Sequence, residues 1–204
     1  MIYHTQIKMI QAVLAAFLFM FYTYGNANAQ NELQIGTKAP KINAIDHNNK
    51  IFNLHDELKD GPVVLIFYRG EWCKYCNLYM NDLADSLSFV IDKGANIIAV
   101  TPESNEYIDV TVEKSGATFS IIYDEGHEIM DAYDVTWHVS ALAHLFYKLS
   151  GKNINRASKN SDRALPVPAT YIIGQDGEIK GGYFNKDYTK RMPISSIVKV
   201  LDSL

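Results

Sequence analysis

The sequence predicts an α/β fold with a central mixed sheet and helices on both of its faces. Three short apolar runs, rich in β-branched residues, are typical of strands buried on both faces, namely residues 63–68, 96–100 and 119–123. Segments of helical periodicity separate these runs, and such alternation indicates a sheet with a parallel part. Two later strands flank an Asp-Gly turn at 176–177, which adds an antiparallel hairpin.

The first half of the chain is assigned in order from the spacing of its apolar residues. Residues 42–54 form two alternating runs around a polar turn and predict an N-terminal hairpin. After the first buried strand, apolar residues recur at helical spacing from Cys73 until Gly94, which closes the helix. Residues 104–115, ahead of Gly116, predict the helix that connects the second and third buried strands.

The second half continues with a predicted helical insert. Residues 126–134 indicate a short helix, residues 137–149 are apolar at helical spacing and predict a second one, and residues 150–164 indicate a polar loop. The strand ahead of the Asp-Gly turn covers residues 169–173. A last helix follows the hairpin, with Pro193 in its first turn.

The N-terminus, residues 1–29, has the organisation of a signal peptide. A weakly positive start precedes an apolar run at 12–22, and Ala27 and Ala29 give an A-x-A pattern at its exit. The run is shorter than the ~20 residues that a spanning helix needs, although an uncleaved anchor helix stays an alternative. We therefore expect export to the periplasm or extracytoplasmic space, no stable membrane insertion after cleavage, and a single domain over residues 30–204.

The charge balance argues against one class of partner. The chain has 19 Lys and Arg residues against 23 Asp and Glu, which gives a net charge of −4. Proteins that bind nucleic acid normally carry a basic patch or run, and the sequence shows no such run. We therefore expect no nucleic-acid partner.

The only two cysteines, Cys73 and Cys76, are separated by Lys74 and Tyr75. A structural zinc site needs four ligands, and a second Cys-x-x-Cys is lacking. Haem attachment needs a histidine directly after the second cysteine, where this chain has Asn77. A purely structural disulfide would close a short loop and stabilise the fold little. The spacing therefore favours a redox-active pair without a metal.

The position of Cys73, between a buried strand and a helix, predicts its role. Backbone N–H groups and the helix dipole at a helix N-terminus stabilise the thiolate, which is the reactive form. We expect Cys73 to be exposed and to attack, and Cys76, one turn further in, to resolve the intermediate. Trp72 is a candidate lid over the thiol, or a core residue. Arg69 could supply positive charge to the thiolate or to a bound peroxide, or be a solvated loop cation.

A buried strand, then Trp-Cys-x-x-Cys, then a helix resembles the thioredoxin fold. That fold places a cis-proline opposite the nucleophile, ahead of a strand that follows its central helix, and Pro168 matches this position. The resemblance implies a cis Val167–Pro168 bond whose ring lies against the cysteine pair. It also implies that the backbone of Val167 is free to pair with an extended peptide.

A wider pattern over residues 36–184 resembles the peroxiredoxin-like branch of the alkyl hydroperoxide reductase and thiol-specific antioxidant family. The likeness rests on VVLIFYRGEWCKYCNLYMNDL and on LPVPATYIIGQDGEI downstream. Typical peroxiredoxins carry P-x-x-x-[ST]-x-x-C, whereas this chain has Ile66 in place of the proline and Gly70 in place of the hydroxyl residue. Pro168 takes the place of an arginine that typical members have.

The resemblance implies an oxidoreductase in which Cys73 attacks a peroxide and Cys76 closes an intramolecular disulfide. An external dithiol reductant of thioredoxin type would then reset the pair. The Cys-x-x-Cys motif and Pro168 keep a second hypothesis open, an exported thiol–disulfide oxidoreductase acting on protein disulfides. A non-enzymatic binding domain is the third. Neither enzymatic hypothesis requires a metal or organic cofactor, because the cysteine pair carries two electrons itself.

Overall fold

The computed structural model describes residues 32–204, so the predicted signal peptide lies outside the described residues. The strands are β1 (Asn43–Ile45), β2 (Ile51–Asn53), β3 (Val63–Phe67), β4 (Asn96–Thr101), β5 (Ser120–Tyr123), β6 (Thr136–His138), β7 (Ala164–Pro166), β8 (Ala169–Ile173) and β9 (Ile179–Phe184). The helices are α1 (Leu54–Asp60), α2 (Lys74–Asp85), α3 (Leu87–Ile91), α4 (Asn105–Ser115), α5 (Glu128–Ala132), α6 (Ala141–Leu149), α7 (Ile154–Ser158) and α8 (Ile194–Leu201).

Five strands form the central sheet in the order β5-β4-β3-β8-β9. Strands β3, β4 and β5 are parallel, and helices α2, α3 and α4 lie in the connections between them. Strand β8 is antiparallel to β3, and β9 is antiparallel to β8. The predicted mixed sheet is confirmed, and so is the hairpin at the Asp-Gly turn.

Strand β3 is buried at all of its positions, because the sheet is covered on both faces. Side chains along a strand alternate between the two faces. Val64 and Ile66 accordingly belong to one apolar cluster, whereas Val63, Leu65 and Phe67 belong to another. The first cluster is shared with helices α2, α4 and α8 and contains both cysteines, and the second is shared with α1 and α5. The buried sheet therefore positions the cysteine pair.

The segment before and within the N-terminal hairpin makes hydrogen bonds to both outer strands of the sheet. On the β9 side, the Gly36 N–H donates to the Ile179 carbonyl at 2.8 Å. On the β5 side, the His47 N–H donates to the Ile121 carbonyl at 2.8 Å, and the Ile121 N–H donates to His47 Nδ1 at 3.1 Å. Strands β1 and β2 pair antiparallel, which confirms the predicted hairpin.

The helical regions differ from the prediction in three places. The helix predicted from Cys73 to Gly94 is divided at Ser86 into α2 and α3. The first residues of the predicted helix 137–149 belong instead to β6, which pairs with β7, and α6 begins after Ser140, whose side chain accepts from the Ala143 N–H. The predicted polar loop contains the short helix α7. No helix within residues 32–204 is both long and apolar enough to cross a membrane.

Candidate active site

The two cysteines lie at the start of α2, directly after the loop that follows β3. Cys73 is the N-cap residue, and its carbonyl accepts hydrogen bonds from the N–H groups of Cys76 and Asn77 at 2.9 and 3.0 Å. The two cysteine Cα atoms are 5.2 Å apart, and the sulfurs form a disulfide. The helix N-terminus therefore faces the pair, and its unpaired N–H groups and dipole favour a thiolate there after reduction.

The expectation that Cys73 is exposed is wrong. Its exposed fraction is 4%, and that of Cys76 is 0%. Both side chains belong to the apolar cluster on one face of the sheet, and the partly buried Trp72 packs against the same cluster. Within the Cys-x-x-Cys motif, only the two intervening residues lie at the surface, and Tyr75 is 41% exposed. Cys73 nevertheless keeps the greater access to solvent of the two.

Arg69 is buried rather than a solvated loop cation, with an exposed fraction of 2%. Its guanidinium donates to the Tyr147 hydroxyl at 3.1 Å. The guanidinium carbon lies 5.4 Å from the ring centre of Trp72, 5.8 Å from that of Tyr147 and 4.7 Å from that of Tyr188. The aromatic rings stabilise the charge through their negative faces. Arg69 Nε is buried without a hydrogen-bond partner among the described residues.

Arg191 is a site residue that the sequence analysis missed. One of its terminal nitrogens donates to the Tyr188 and Lys190 carbonyls, each at 2.7 Å, and the other donates to Cys76 Sγ at 3.1 Å. Burial lowers the pKa of the Arg191 guanidinium to about 10, and the nearby Arg69 charge acts in the same direction. Arg191 therefore keeps its positive charge at neutral pH and directs it at a cysteine sulfur.

Arg69 and Arg191 have no carboxylate partner in the part of the chain that the structure describes. A cation inside a protein is costly unless an anion or hydrogen-bond acceptors compensate it. Arg191 therefore places at Cys76 Sγ a positive charge that no carboxylate within residues 32–204 compensates by an ion pair.

The predicted cis Val167–Pro168 bond is wrong, since residues 32–204 contain no cis peptide bond. The Val167 N–H donates to the Val135 carbonyl at 2.7 Å, beside the pairing of Thr136 with Pro166, so the segment is held by β-type pairing. The same bond means that this N–H is not free to pair with a peptide. Pro168 still lies at the same end of the sheet as the cysteine loop, because Ala169 pairs with Phe67.

Glu103, a second residue that the sequence analysis missed, accepts a hydrogen bond from the backbone of the loop that precedes Cys73. It is 1% exposed, and one carboxyl oxygen accepts from the Glu71 N–H at 2.7 Å, whereas the other has no partner among the described residues. The Glu71 side chain itself pairs with Lys114 at 2.5 Å. Gly70 packs closely on Glu103: an added Cβ would lie 2.3 Å from the carboxyl carbon, so the buried Glu103 side chain would have to shift.

The substitution Gly70→Ala should destabilise the protein by about 2–5 kcal/mol, from backbone strain and overpacking together. The backbone of Gly70 has φ +142°, which an alanine adopts only with strain, and the new methyl group would collide with Glu103. Denaturant unfolding measures the loss. Gly36→Ala is the matched control, because Gly36 also has a positive φ but open space around it. Equal losses in the two variants would exclude the collision.

Glu103 should make the stability depend on pH. Burial raises the pKa of its carboxyl from the ordinary 4.5 to about 8, against the opposing hydrogen bond from the Glu71 N–H. Between these values the folded state binds a proton that the unfolded chain does not, so the free energy of unfolding falls as pH rises through this window. The slope should approach about 1.4 kcal/mol per pH unit.

Unfolding curves at several pH values test the prediction on Glu103. Glu103→Gln should flatten the decrease in stability, because the amide does not titrate. Glu113→Gln, at an exposed position of α4, should leave the decrease unchanged. An unchanged pH dependence in Glu103→Gln would contradict the assignment.

The fold and the site together define a class of protein. A mixed sheet covered on both faces, with a cysteine pair one helical turn apart at a helix start, describes a thioredoxin-fold oxidoreductase. The chain belongs to the AhpC/TSA family, whose model matches residues 35–181.

The chain is similar both to proteins named thiol-disulfide oxidoreductases and to proteins named peroxiredoxins. Thiol-disulfide oxidoreductase ResA of Bacillus subtilis (strain 168) is 30% identical over 78% of this chain and 73% of its own length. Peroxiredoxin Bcp of the same organism is 30% identical over 72% of this chain and 82% of its own length. The crystal structure of peroxidoxin BcpB from Mycobacterium tuberculosis has a TM-score of 0.66 and 13% identity, covering 85% of this chain and 99% of that chain.

Proposed function

We propose that the protein is a thiol-dependent peroxide reductase that cycles between the Cys73/Cys76 dithiol and its disulfide. The observation that carries the proposal is a pair of guanidiniums without an ion-pair partner among residues 32–204: Arg69, buried on the cysteine loop, and the half-buried Arg191, which donates to Cys76 Sγ. Cationic groups assist peroxide reduction at two negatively charged atoms. The attacking sulfur is a thiolate, and the departing oxygen leaves as an alkoxide or hydroxide, which cationic donors stabilise.

The cycle has two chemical steps at the protein. The Cys73 thiolate attacks one peroxide oxygen, the O–O bond breaks, Cys73 becomes a sulfenic acid, and the other oxygen leaves and takes up a proton. The Cys76 thiolate then attacks the Cys73 sulfur, the S–O bond breaks, and hydroxide leaves as the disulfide forms. Arg191, at 3.1 Å from Cys76 Sγ, favours the thiolate that the second step requires.

An external dithiol of thioredoxin type completes the proposed cycle. Its first thiolate attacks Cys73, the sulfur with the greater access, the Cys73–Cys76 bond breaks and Cys76 leaves as a thiolate. The reductant's second thiolate then breaks the mixed disulfide, so that both cysteines are reduced and the reductant carries the disulfide. Arg69 and Trp72 are the proposed substrate contacts on the loop, and Val167 and Pro168 flank them at the end of the sheet. The cycle needs no metal or organic cofactor, and export by the N-terminal segment is part of the same proposal.

A second candidate function is thiol–disulfide exchange on protein substrates. The similarity to ResA and the Cys-x-x-Cys motif favour it. The hydrogen bond from the Val167 N–H to Val135 disfavours it, since an extended peptide would need that donor. The peroxide reductase therefore remains the first proposal.

Stopped-flow oxidation of the reduced protein distinguishes the two functions. Tryptophan fluorescence reports the reaction with hydrogen peroxide in one series and with a model protein disulfide in the other. The proposal predicts faster oxidation by peroxide, abolished in Cys73→Ser. Faster reaction with the protein disulfide would favour the second function, and no reaction with either would favour a binding domain without enzymatic activity.

A further inference from the structure

Helix α6 carries an apolar stripe that faces solvent. Its members follow the i, i+3, i+4, i+7 spacing of a single helix face and are at least half exposed, at 65%, 50%, 64% and 75%: Leu142, Leu145, Phe146 and Leu149. The opposite face packs Ala143 and Tyr147 against a small apolar cluster. A stripe with this spacing is normally the side of a helix that packs onto the protein core. Its exposure here indicates a surface that binds something else.

The segment around this helix is basic, although the chain as a whole is acidic. Residues 135–161, termed the basic insert, contain no Asp or Glu, whereas the net charge of the chain is −4. The insert contains four cations: Lys148, Lys152, Arg156 and Lys159. None of them forms an ion pair within the described part of the chain. Exposed apolar side chains and cations without ion-pair partners among the described residues are therefore concentrated on one segment.

We propose that the basic insert binds the surface of an anionic lipid bilayer. The α6 stripe would enter the boundary between headgroups and acyl chains, and the lysines would contact lipid phosphates. Trp137, 44% exposed in the same insert, is of the residue type that favours the membrane–water interface. A helix of nine residues spans only ~14 Å, so α6 lies along the bilayer and does not cross it.

Charge and shape favour a bilayer over the other possible occupants of this surface. A dimer that pairs two copies of the chain about a two-fold axis on this stripe would bring two cationic segments together. The insert has no acidic residues that could compensate the repulsion between them. An acidic protein would need a groove to receive the exposed stripe of α6. A bilayer needs no preformed groove, and its anionic headgroups complement the lysines and arginine.

Vesicle co-sedimentation tests the proposal. Vesicles contain either equal parts of phosphatidylglycerol and phosphatidylcholine or phosphatidylcholine alone. Residues 30–204 are used, since residues 32–204 form one compact unit and the apolar run at 12–22 could itself bind any vesicle. We expect salt-sensitive binding to the anionic vesicles only. Leu145→Ser with Phe146→Ser should weaken binding at least ~10-fold, and Lys148→Gln with Lys152→Gln about tenfold.

Matched control variants distinguish binding through this surface from nonspecific hydrophobic or electrostatic binding elsewhere on the protein. Phe89→Ser with Ile91→Ser removes two equally exposed apolar residues from α3, and Lys41→Gln with Lys50→Gln removes two exposed cations elsewhere. Both controls should bind like the unaltered protein, and all variants should keep its unfolding temperature and peroxide rate.

Three results would overturn the proposal. One is equal binding to phosphatidylcholine alone, and another is undiminished binding by the α6 variant. The third is a dimer in sedimentation velocity that the α6 substitutions abolish, without any vesicle binding, since the stripe would then join two copies.

Discussion

Replacing Cys76 by serine should abolish steady-state turnover while leaving the first reaction of Cys73 with peroxide intact. The serine hydroxyl cannot attack the oxidised Cys73 sulfur, so the cycle should stop at the sulfenic acid. One equivalent of peroxide should be consumed per chain. Dimedone labelling followed by mass spectrometry detects the trapped sulfenic acid and assigns it to Cys73.

The companion variant Cys73→Ser should lose both the first reaction and turnover. Iodoacetamide should label Cys73 of the reduced protein before Cys76, because Cys76 is fully buried. Undiminished turnover in Cys76→Ser would mean that the external reductant resolves Cys73 directly. Preferential labelling of Cys76 would reverse the two roles.

Replacing Arg191 by methionine should slow disulfide closure about 10- to 100-fold, the effect of losing a charge-assisted hydrogen bond. The guanidinium lies 3.1 Å from Cys76 Sγ, and two carbonyls hold it in place. Without it, the buried Cys76 sulfur should be a neutral thiol over more of the pH range, and neutral thiols attack poorly. The oxidation of Cys73 should be affected less.

The pH dependence of closure separates an electrostatic role of Arg191 from a packing role. In Arg191→Met the pH of half-maximal closure rate should move upward, whereas Arg191→Lys should restore part of the rate. Lys190→Met is the matched control, because the exposed Lys190 contributes only its backbone carbonyl to the site. Normal closure with slower peroxide oxidation in Arg191→Met would place its action on Cys73 instead.

The backbone framework of the site could be predicted from local sequence patterns. The apolar run at 63–67 is buried on both faces, and a helix begins after a short loop, so the cysteine pair had to lie near the end of a central strand. The hairpin at 176–177 followed from its turn chemistry. These features depend on neighbouring residues, which is why the sequence reveals them.

The missing site residues depend on contacts between distant parts of the chain. Arg191 contacts Cys76, from which it is separated by 115 positions in the sequence, and it lies in a polar loop without a motif. Glu103 binds the backbone of Glu71, from which it is separated by 32 positions. The periodicity of α6 predicted an apolar face, but it cannot tell whether that face points inward or outward. The Val167 backbone is fixed by Val135, and no pattern around Pro168 signals that partner.

The hydrogen bonds that join Gly36 and His47 to the outer strands have a consequence for association between molecules. Unpaired strand edges invite other chains to extend the sheet, which is a route to aggregation. Here isolated antiparallel β-bridges, which are backbone pairings of Lys38 with Glu178 and of Asp46 with Ile122, occupy part of both edges of the sheet. A chain shortened to begin after the hairpin would expose β5 and β9 at once. It should therefore aggregate edge to edge even though its cysteine pair and most of its core are intact.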